Sequence, residues 1–261
     1  MIKIKNLCKT FGSKVVLDNL NLEINDNEIF VILGKSGVGK SVILKHIVGL
    51  MKPDSGSVFV DDFEMNALEG VKLYEALKNI ATIYQMGALF DSMTVAENVG
   101  FYLREHLTKG GEKINKSDIK ELVQDALKKV GLEGVEDLYP EEISGGMKKR
   151  VSIARGSIYK PKYICYDEPT TGLDPVTALT IAECIEKQQD ELKGTTIVVS
   201  HDIPTTLKIA DRIALLDNGK VEICADPFTF MSTDHPIIHQ FNRTIGNDLS
   251  LIKRAARSVH A

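Results

Sequence analysis

Residues 34–41 read Gly-Lys-Ser-Gly-Val-Gly-Lys-Ser, a complete phosphate-binding loop, and the apolar stretch Glu28-Ile-Phe-Val-Ile-Leu33 runs straight into it. Glycine admits backbone turns closed to other residues, so the successive N–H groups of Gly34, Lys35, Ser36, Gly37, Val38 and Gly39 can point inward at phosphate oxygens. Lys40 adds a positive charge, and Ser41 a hydroxyl able to hold Mg²⁺. The run Ser41-Val-Ile-Leu-Lys-His-Ile-Val-Gly49 suits a helix whose N-terminus faces the anion. A nucleoside triphosphate is the first ligand these residues imply.

Tyr163-Ile-Cys-Tyr166 leads directly into Asp167 and Glu168. Both acids then sit at the C-terminal end of a strand, where open α/β sheets bind ligands. Asp167 would hold Mg²⁺ through its water shell, and Glu168 is placed to accept a proton from an attacking water, a contribution of roughly 10²–10⁴ in rate. His201 ends Val198-Val-Ser-His201, where an imidazole could contact a γ-phosphate or order the water. Gln85 ends Ala81-Thr-Ile-Tyr84 in the same manner, and its amide could sense metal or water. Singly, the acidic pair also fits a surface loop, His201 a structural role, and Gln85 nothing in particular. Their weight lies in the combination.

The surrounding elements must deliver these side chains to one place. Ile2 and Ile4, then Leu20, Leu22 and Ile24, alternate with polar residues as half-buried strands do, and Asn25-Asp-Asn27 marks a turn. Pro53-Asp-Ser-Gly56 is a further turn signal before the strand-like Ser57-Val-Phe-Val60. From Met86 to about Lys160 the texture becomes helical: Ile119, Leu122, Val123, Ala126, Leu127 and Val130 recur at helix spacing, with Ser117 or Asp118 as cap and Gly131 as stop. Strand-type sequence returns at 163–166 and at Thr195-Thr-Ile-Val-Val199, with a helix between. The expected fold is α/β: a mostly parallel sheet, a small antiparallel layer at the start, and a helical insert. Beyond about Cys224 the pattern weakens into Pro227 and His235-Pro236 and closes on Leu251-Ile-Lys-Arg-Ala-Ala-Arg257.

Bulk composition narrows the classes. A chain of 261 residues with 43% hydrophobic content can bury a sizeable core. A net charge of −4 with interspersed acids and bases gives no general reason to expect nucleic-acid binding. Cys8, Cys165, Cys184 and Cys224 lie far apart, so neither zinc nor a disulfide framework is indicated and a reducing compartment fits. No window reaches the ~18 apolar residues of a membrane span, and the first residues lack a signal-peptide run. The expectation is a soluble chain able to dock on a membrane protein.

A second glycine-rich element, Ile143-Ser-Gly-Gly-Met147, precedes the helix-like run Lys148-Lys-Arg-Val-Ser-Ile-Ala-Arg155 and can also offer N–H groups to phosphate. With Asp167-Glu-Pro-Thr-Thr-Gly-Leu-Asp174 and His201, the order of motifs over residues 1 to 225 resembles the ATP-binding-cassette ATPases. The resemblance implies a P-loop NTPase with a RecA-like core and β layer at 1–85 and 161–225, a helical subdomain at 86–160, and a C-terminal extension at 226–261. It makes residues 34–41 Walker A, Gln85 the Q-loop, and Ser144, Gly145, Gly146 and Met147 the signature. Asp167 and Glu168 become Walker B and its catalytic glutamate, Asp174 the end of the D-loop, His201 the switch histidine, and Phe11 the aromatic that stacks on adenine. Left to itself, Phe11 also fits the core of the first layer. The implied cofactors are ATP and Mg²⁺, with ATP sandwiched between the Walker A of one copy and the signature of another. A homodimer follows as an expectation.

Met147 stands where the signature usually ends in Gln, and with Lys148-Lys-Arg150 after it this resembles ATPases of Mla/Mce-type phospholipid transporters. In cassette importers, the stretch matching Met86-Gly-Ala-Leu-Phe-Asp-Ser-Met-Thr-Val-Ala-Glu-Asn98 lines a groove that receives a coupling helix of the membrane subunit. Met86, Leu89 and Phe90 also fit ordinary subdomain core. The implied partners are an integral membrane permease, an Mce-domain lipid-binding protein and a small cytoplasmic regulator, at the cytoplasmic face of the inner membrane. The tail from about His235, with Lys253, Arg254 and Arg257 as a basic end, resembles an extension that in the Mla relatives reaches across the dimer; a disordered terminus fits it equally. Rival readings are the ATPase of another importer, such as one for amino acids, and a soluble cassette protein of DNA repair or translation. A kinase or GTPase would leave residues 144–146 unexplained.

Overall fold

The computed structural model describes the backbone of residues 1–245 apart from 107, 110, 111 and 114. The chain begins β1 (Ile2–Phe11), β2 (Lys14–Ile24), β3 (Ile29–Leu33), α1 (Lys40–Ile47), β4 (Ser55–Val60), β5 (Phe63–Glu64), α2 (Gly70–Leu77) and β6 (Ile80–Ile83). It continues through α3 (Val95–His106), a hairpin of β7 (Thr108–Lys109) and β8 (Glu112–Lys113), α4 (Lys116–Lys129) and α5 (Gly145–Ser157). Then come β9 (Tyr163–Asp167), α6 (Pro175–Leu192), β10 (Thr195–Ser200), α7 (Ile203–Ile209), β11 (Arg212–Asp217), β12 (Lys220–Ala225), α8 (Pro227–Ser232) and α9 (Pro236–Ile245).

The larger sheet has the order β12-β11-β3-β10-β9-β6. It is parallel from β11 to β6, with β12 antiparallel at the edge. All five residues of β3 are buried because both faces of the strand are covered. Alternation sends Ile29, Val31 and Leu33 into the core beneath the helical part, and Phe30 and Ile32 into a second core with α1 and the antiparallel sheet β2-β1-β4-β5. At about 2 kcal/mol per fully buried side chain, this run contributes on the order of 10 kcal/mol before chain entropy is subtracted.

The helical expectation for the middle region is met by α3, α4 and α5, where Val99 and Leu103 pack in one core with Ile119, Val123 and Leu127. Gly131, at φ +68°, ends α4 as expected, with Leu132 N donating to Leu127 O. The cap is neither Ser117 nor Asp118: Asn115 accepts from the N–H of Asp118, which a helix beginning one residue later makes its N3 position. The first strand after the turn begins at Ser55, not Ser57, because Gly56 at φ +88° lets the chain cross close over the backbone of Lys5 and Asn6.

After Cys224 the chain is more regular than its sequence suggests. Pro227 and Pro236 are the first residues of α8 and α9, where a missing N–H costs nothing. Asp226 caps α8 by accepting from Phe228 and Thr229. The segment 251–257 lies outside the described residues.

Candidate nucleotide site

Register in the parallel sheet aligns the chemical residues. Leu33 pairs with Ser200, Val199 with Asp167, and Ile83 with Tyr166. Residues just past these strand ends, Gly34, His201, Glu168 and Gln85, therefore emerge along one edge. The N–H of Gly34 donates to Ser200 O at 3.3 Å, and that of Glu168 to Val199 O at 3.0 Å, which ties the loops together before any side chain acts.

The phosphate loop needs its glycines. A Cβ on Gly34 would stand 2.5 Å from the carbonyl oxygen of Leu216, a backbone atom that cannot move aside. Gly39 sits at φ +111° and precedes the first turn of α1. The loop bounds a cleft of about 490 Å³ lined by Phe11, Ser36, Gly37, Gly39, Lys40, Ser41, Gln85, Glu168 and His201, and also by Lys14, Val16, Val42 and Thr171. Phe11 is 45% exposed at its mouth, so it is not a residue of the core.

Lys40 is buried, and its Nζ donates to Gly34 O at 2.8 Å and Lys35 O at 3.0 Å while pairing with Oε1 of Glu168 at 3.0 Å. Oε2 of Glu168 accepts from Thr171 Oγ1 at 3.0 Å and lies 2.6 Å from Nδ1 of His201. An ionised carboxylate there places the imidazole proton on Nδ1 and leaves Nε2 to act on a ligand. Burial pushes the Glu168 carboxyl up, but the hydrogen bond and charge of Lys40, and then His201, outweigh it and hold the group below the ordinary carboxylate value. Glu168 also has φ +50°, a left-handed conformation that only strong surrounding contacts sustain. A carboxylate fixed and ionised in this way suits proton acceptance, once Lys40 has turned to a phosphate.

Ser41 Oγ donates to Asp167 Oδ1 at 2.7 Å. Ser41, Asp167 and Gln85 line a second groove of about 370 Å³, so the three residues expected around Mg²⁺ come together. Ser41 and Gln85 line the nucleotide cleft as well. A hydroxyl, a carboxylate and an amide oxygen form the hard donor set that Mg²⁺ takes, beside a loop shaped for phosphate. Bound there, the ion would neutralise phosphate charge.

Ser144, Gly145, Gly146 and Asp174 do not line the cleft. Ser144 caps α5 by accepting from Met147 N at 3.2 Å. Asp174 caps α6, accepting from the N–H groups of Val176 and Thr177 and from Thr177 Oγ1. The two caps are neighbours, since a Cβ on Gly146 would meet Thr177 Cγ2 at 2.7 Å. Of the cleft lining, Lys14, Val16, Val42 and Thr171 carry no expected role, and neither does Lys149, which reaches the turn after Glu168 through Pro169 O and Thr171 O. The threonine lies inside the run after Glu168 and the lysine beside the signature, but neither spacing nor composition marks them for a role.

Residues 17–171 match the family described as ABC transporter, and the chain belongs to that family. It is 35% identical over 247 residues to the probable ribonucleotide transport ATP-binding protein mkl of Mycobacterium leprae, covering 94% of this chain and 70% of that one. Over 221 residues it is 38% identical to the intermembrane phospholipid transport system ATP-binding protein MlaF of Haemophilus influenzae, covering 85% and 82%. It is 40% identical, also over 221 residues, to the methionine import ATP-binding protein MetN of Clostridium tetani, covering 85% and 68%. Among solved structures, the dimeric post-hydrolysis state of the ATP-binding cassette MJ0796 bound to ADP and Pi superposes with a TM-score of 0.78 at 32% identity, covering 87% of this chain and 99% of that one. The chain is thus an ATP-hydrolysing cassette of transporter type with the P-loop NTPase fold. Among the described residues no helix is long and apolar enough to cross a membrane.

Proposed function

We propose that this protein energises phospholipid movement between membranes, as the ATPase subunit of an Mla/Mce-type transporter. The observation that carries a transport partner is the groove beside Ser41, Asp167 and Gln85. Its outer lining exposes Leu50, Tyr84 and Met86, the last by 86%. Apolar side chains left in water next to the Asp167 carboxylate suit a packed helix from a permease, which would couple hydrolysis to the membrane subunit. Met86 and Phe90 are exposed rather than core residues, and Phe90 packs on Phe101 with ring centroids 4.9 Å apart. Lipid as cargo is favoured by the sequence Met147-Lys-Lys-Arg150 and by the likeness to MlaF. The comparable identity to MetN supports a second reading, an amino-acid importer ATPase.

The proposed division of labour joins the cleft's lining to the resemblance to cassette ATPases. Phe11 stacks on adenine, residues 34–40 hold the phosphates, and Ser41, Asp167 and Gln85 hold Mg²⁺. Glu168 takes the proton of the attacking water, with His201 at the γ-phosphate. Ser144, Gly145, Gly146 and Asp174 act on the ATP of a second copy, in a homodimer at the cytoplasmic face of the inner membrane. An Mce-domain protein and a small regulator complete the assembly.

The test is recovery of tagged protein from detergent-solubilised membranes, with identification of bound proteins and extraction of lipid. A multi-span permease with an Mce-domain protein and phospholipid is the expected result. A solute-importer permease without lipid would retain the ATPase and overturn the cargo.

A further inference from the structure

Helix α5 grips both loops that carry the cleft's carboxylate and amide. Near its start, Lys149 Nζ donates to Pro169 O and Thr171 O, each at 2.7 Å. Near its end, Ser152 Oγ donates to Gly87 O at 2.9 Å, and Arg155 donates to Gly87 O at 2.9 Å and Ala88 O at 2.8 Å. The gripped loops hold left-handed residues: Glu168 at φ +50°, Ala88 at φ +47° and Gly87 at φ +78°. For non-glycine residues such conformations are unfavourable and persist only where neighbours over-determine them.

Lys149 carries its charge partly buried. Its half-buried ammonium has no carboxylate within ion-pair distance among the described residues and spends its charge on two backbone carbonyls. Burial lowers its pKa, against the opposing pull of Glu168. A group that gives up solvent without an anionic partner is repaid by the carbonyls it holds. Those carbonyls belong to the turn in which Thr171 N donates to Glu168 O and Thr171 Oγ1 to Glu168 Oε2.

We infer that Lys149 is a positioning residue for ATP hydrolysis, clamping the turn after Glu168 so that Thr171 aims the Glu168 carboxylate in register with the helix that begins at Ser144. This rests on Glu168 as the base. One rigid helix then connects three places: the end presented to a second copy, the carboxylate, and the loop after Gln85 that borders the proposed permease groove. A displacement at either end reaches Glu168 through Lys149.

The experiment measures ATP turnover, KM and thermal unfolding of the full chain with Mg²⁺ for Lys149→Met, Lys149→Arg, Thr171→Val, the Lys149→Met/Thr171→Val double variant and Glu168→Gln. Lys149→Met should lower kcat about 10- to 100-fold, as small misplacements of reacting groups do, with KM within about 2-fold. Lys149→Arg, whose guanidinium also spans two carbonyls, should restore most of the rate. The double variant should lose no more than the worse single one. Unchanged kcat in Lys149→Met, losses that multiply in the double variant, or loss of KM and unfolding temperature in step with kcat would each overturn the proposal. If Lys149→Met does not fold, Lys149→Gln, which keeps an N–H for a carbonyl, carries the same comparison. Retained turnover in Glu168→Gln would instead remove the base itself, and with it anything for Lys149 to aim.

Discussion

Residues 34–41 and residues 144–146 are both glycine-rich elements ahead of a helix, yet they are built in opposite ways. The first leaves the centre of a parallel sheet, is pinned by Ser200 O, and keeps its lysine buried against Glu168. Its geometry is complete within one chain. The second begins a helix at the surface, with Ser144 and Gly145 exposed and the serine hydroxyl spent on its own helix. Within the described residues it meets Thr177 and not the cleft. An anion site prepared by buried strands can bind alone, whereas exposed N–H groups at a helix start gain a ligand only when another surface brings one.

This contrast breaks or sharpens under substitution. Lys40→Met should weaken ATP binding to the isolated chain by at least ~100-fold, the scale of removing a preorganised charge from a phosphate site, as read by titration with a fluorescent nucleotide. Ser144→Arg should leave that binding within about 2-fold while lowering turnover and ATP-driven dimerisation by ~100-fold, read by phosphate release and light scattering. Weakened binding in isolated Ser144→Arg would show that the two elements are not independent.

The ion pair at the first element carries a pH signature. The folded Glu168 carboxyl ionises below its ordinary value of 4.5 because Lys40 and His201 outweigh the effect of burial. Its ionised form therefore adds stability that is present above about pH 4.5 and disappears as pH falls through the lower folded value. Glu168→Gln strands Lys40 and should cost about 3 kcal/mol at neutral pH, a difference that shrinks in acid. Thermal unfolding of both proteins from pH 7 to 3 gives the two curves, and parallel curves would contradict the assignment.

Backbone crowding predicts a smaller effect. Gly34→Ala should cost about 1–3 kcal/mol, since its Cβ meets a carbonyl fixed in β11, and should weaken ATP binding in parallel. Asn115→Ala, at the cap of α4, should cost about 1 kcal/mol in chemical denaturation and leave ATP turnover unaltered. A change in turnover there would mean that the helical insert feeds the cleft more directly than its packing suggests.

Most of the fold was legible because the phosphate loop, the apolar strands and the helical spacing of residues 119–130 are local patterns. The parallel sheet followed from strands alternating with helices. Legibility failed where local and tertiary signals differ. Asn115 outcompeted Ser117 as cap through a start point that periodicity cannot set to one residue. The pattern weakens at Pro227 and Pro236, but at N1 they begin helices held by packing of Phe230 and Ile238 into the main core. In the site, Lys149 and Thr171 were invisible because their contacts run to backbone atoms about twenty residues away or to a carboxylate one turn back. Pattern reading registers side-chain types, not which carbonyls a lysine will reach.

The sequence by itself determined the chemistry: which residues can cradle phosphate, hold a hard cation, or take a proton, and that apolar strands lead directly into Gly34 and into Asp167. Only the tertiary structure decided which of them meet. Parallel register brought Gly34, Gln85, Glu168 and His201 to one edge, while residues 144–146 were sent to another surface. The physical reason is that residue type acts through spacing of a few positions, whereas the meeting of residues up to 167 positions apart, as Gly34 and His201 are, depends on burial of strands whose pairing the whole core selects.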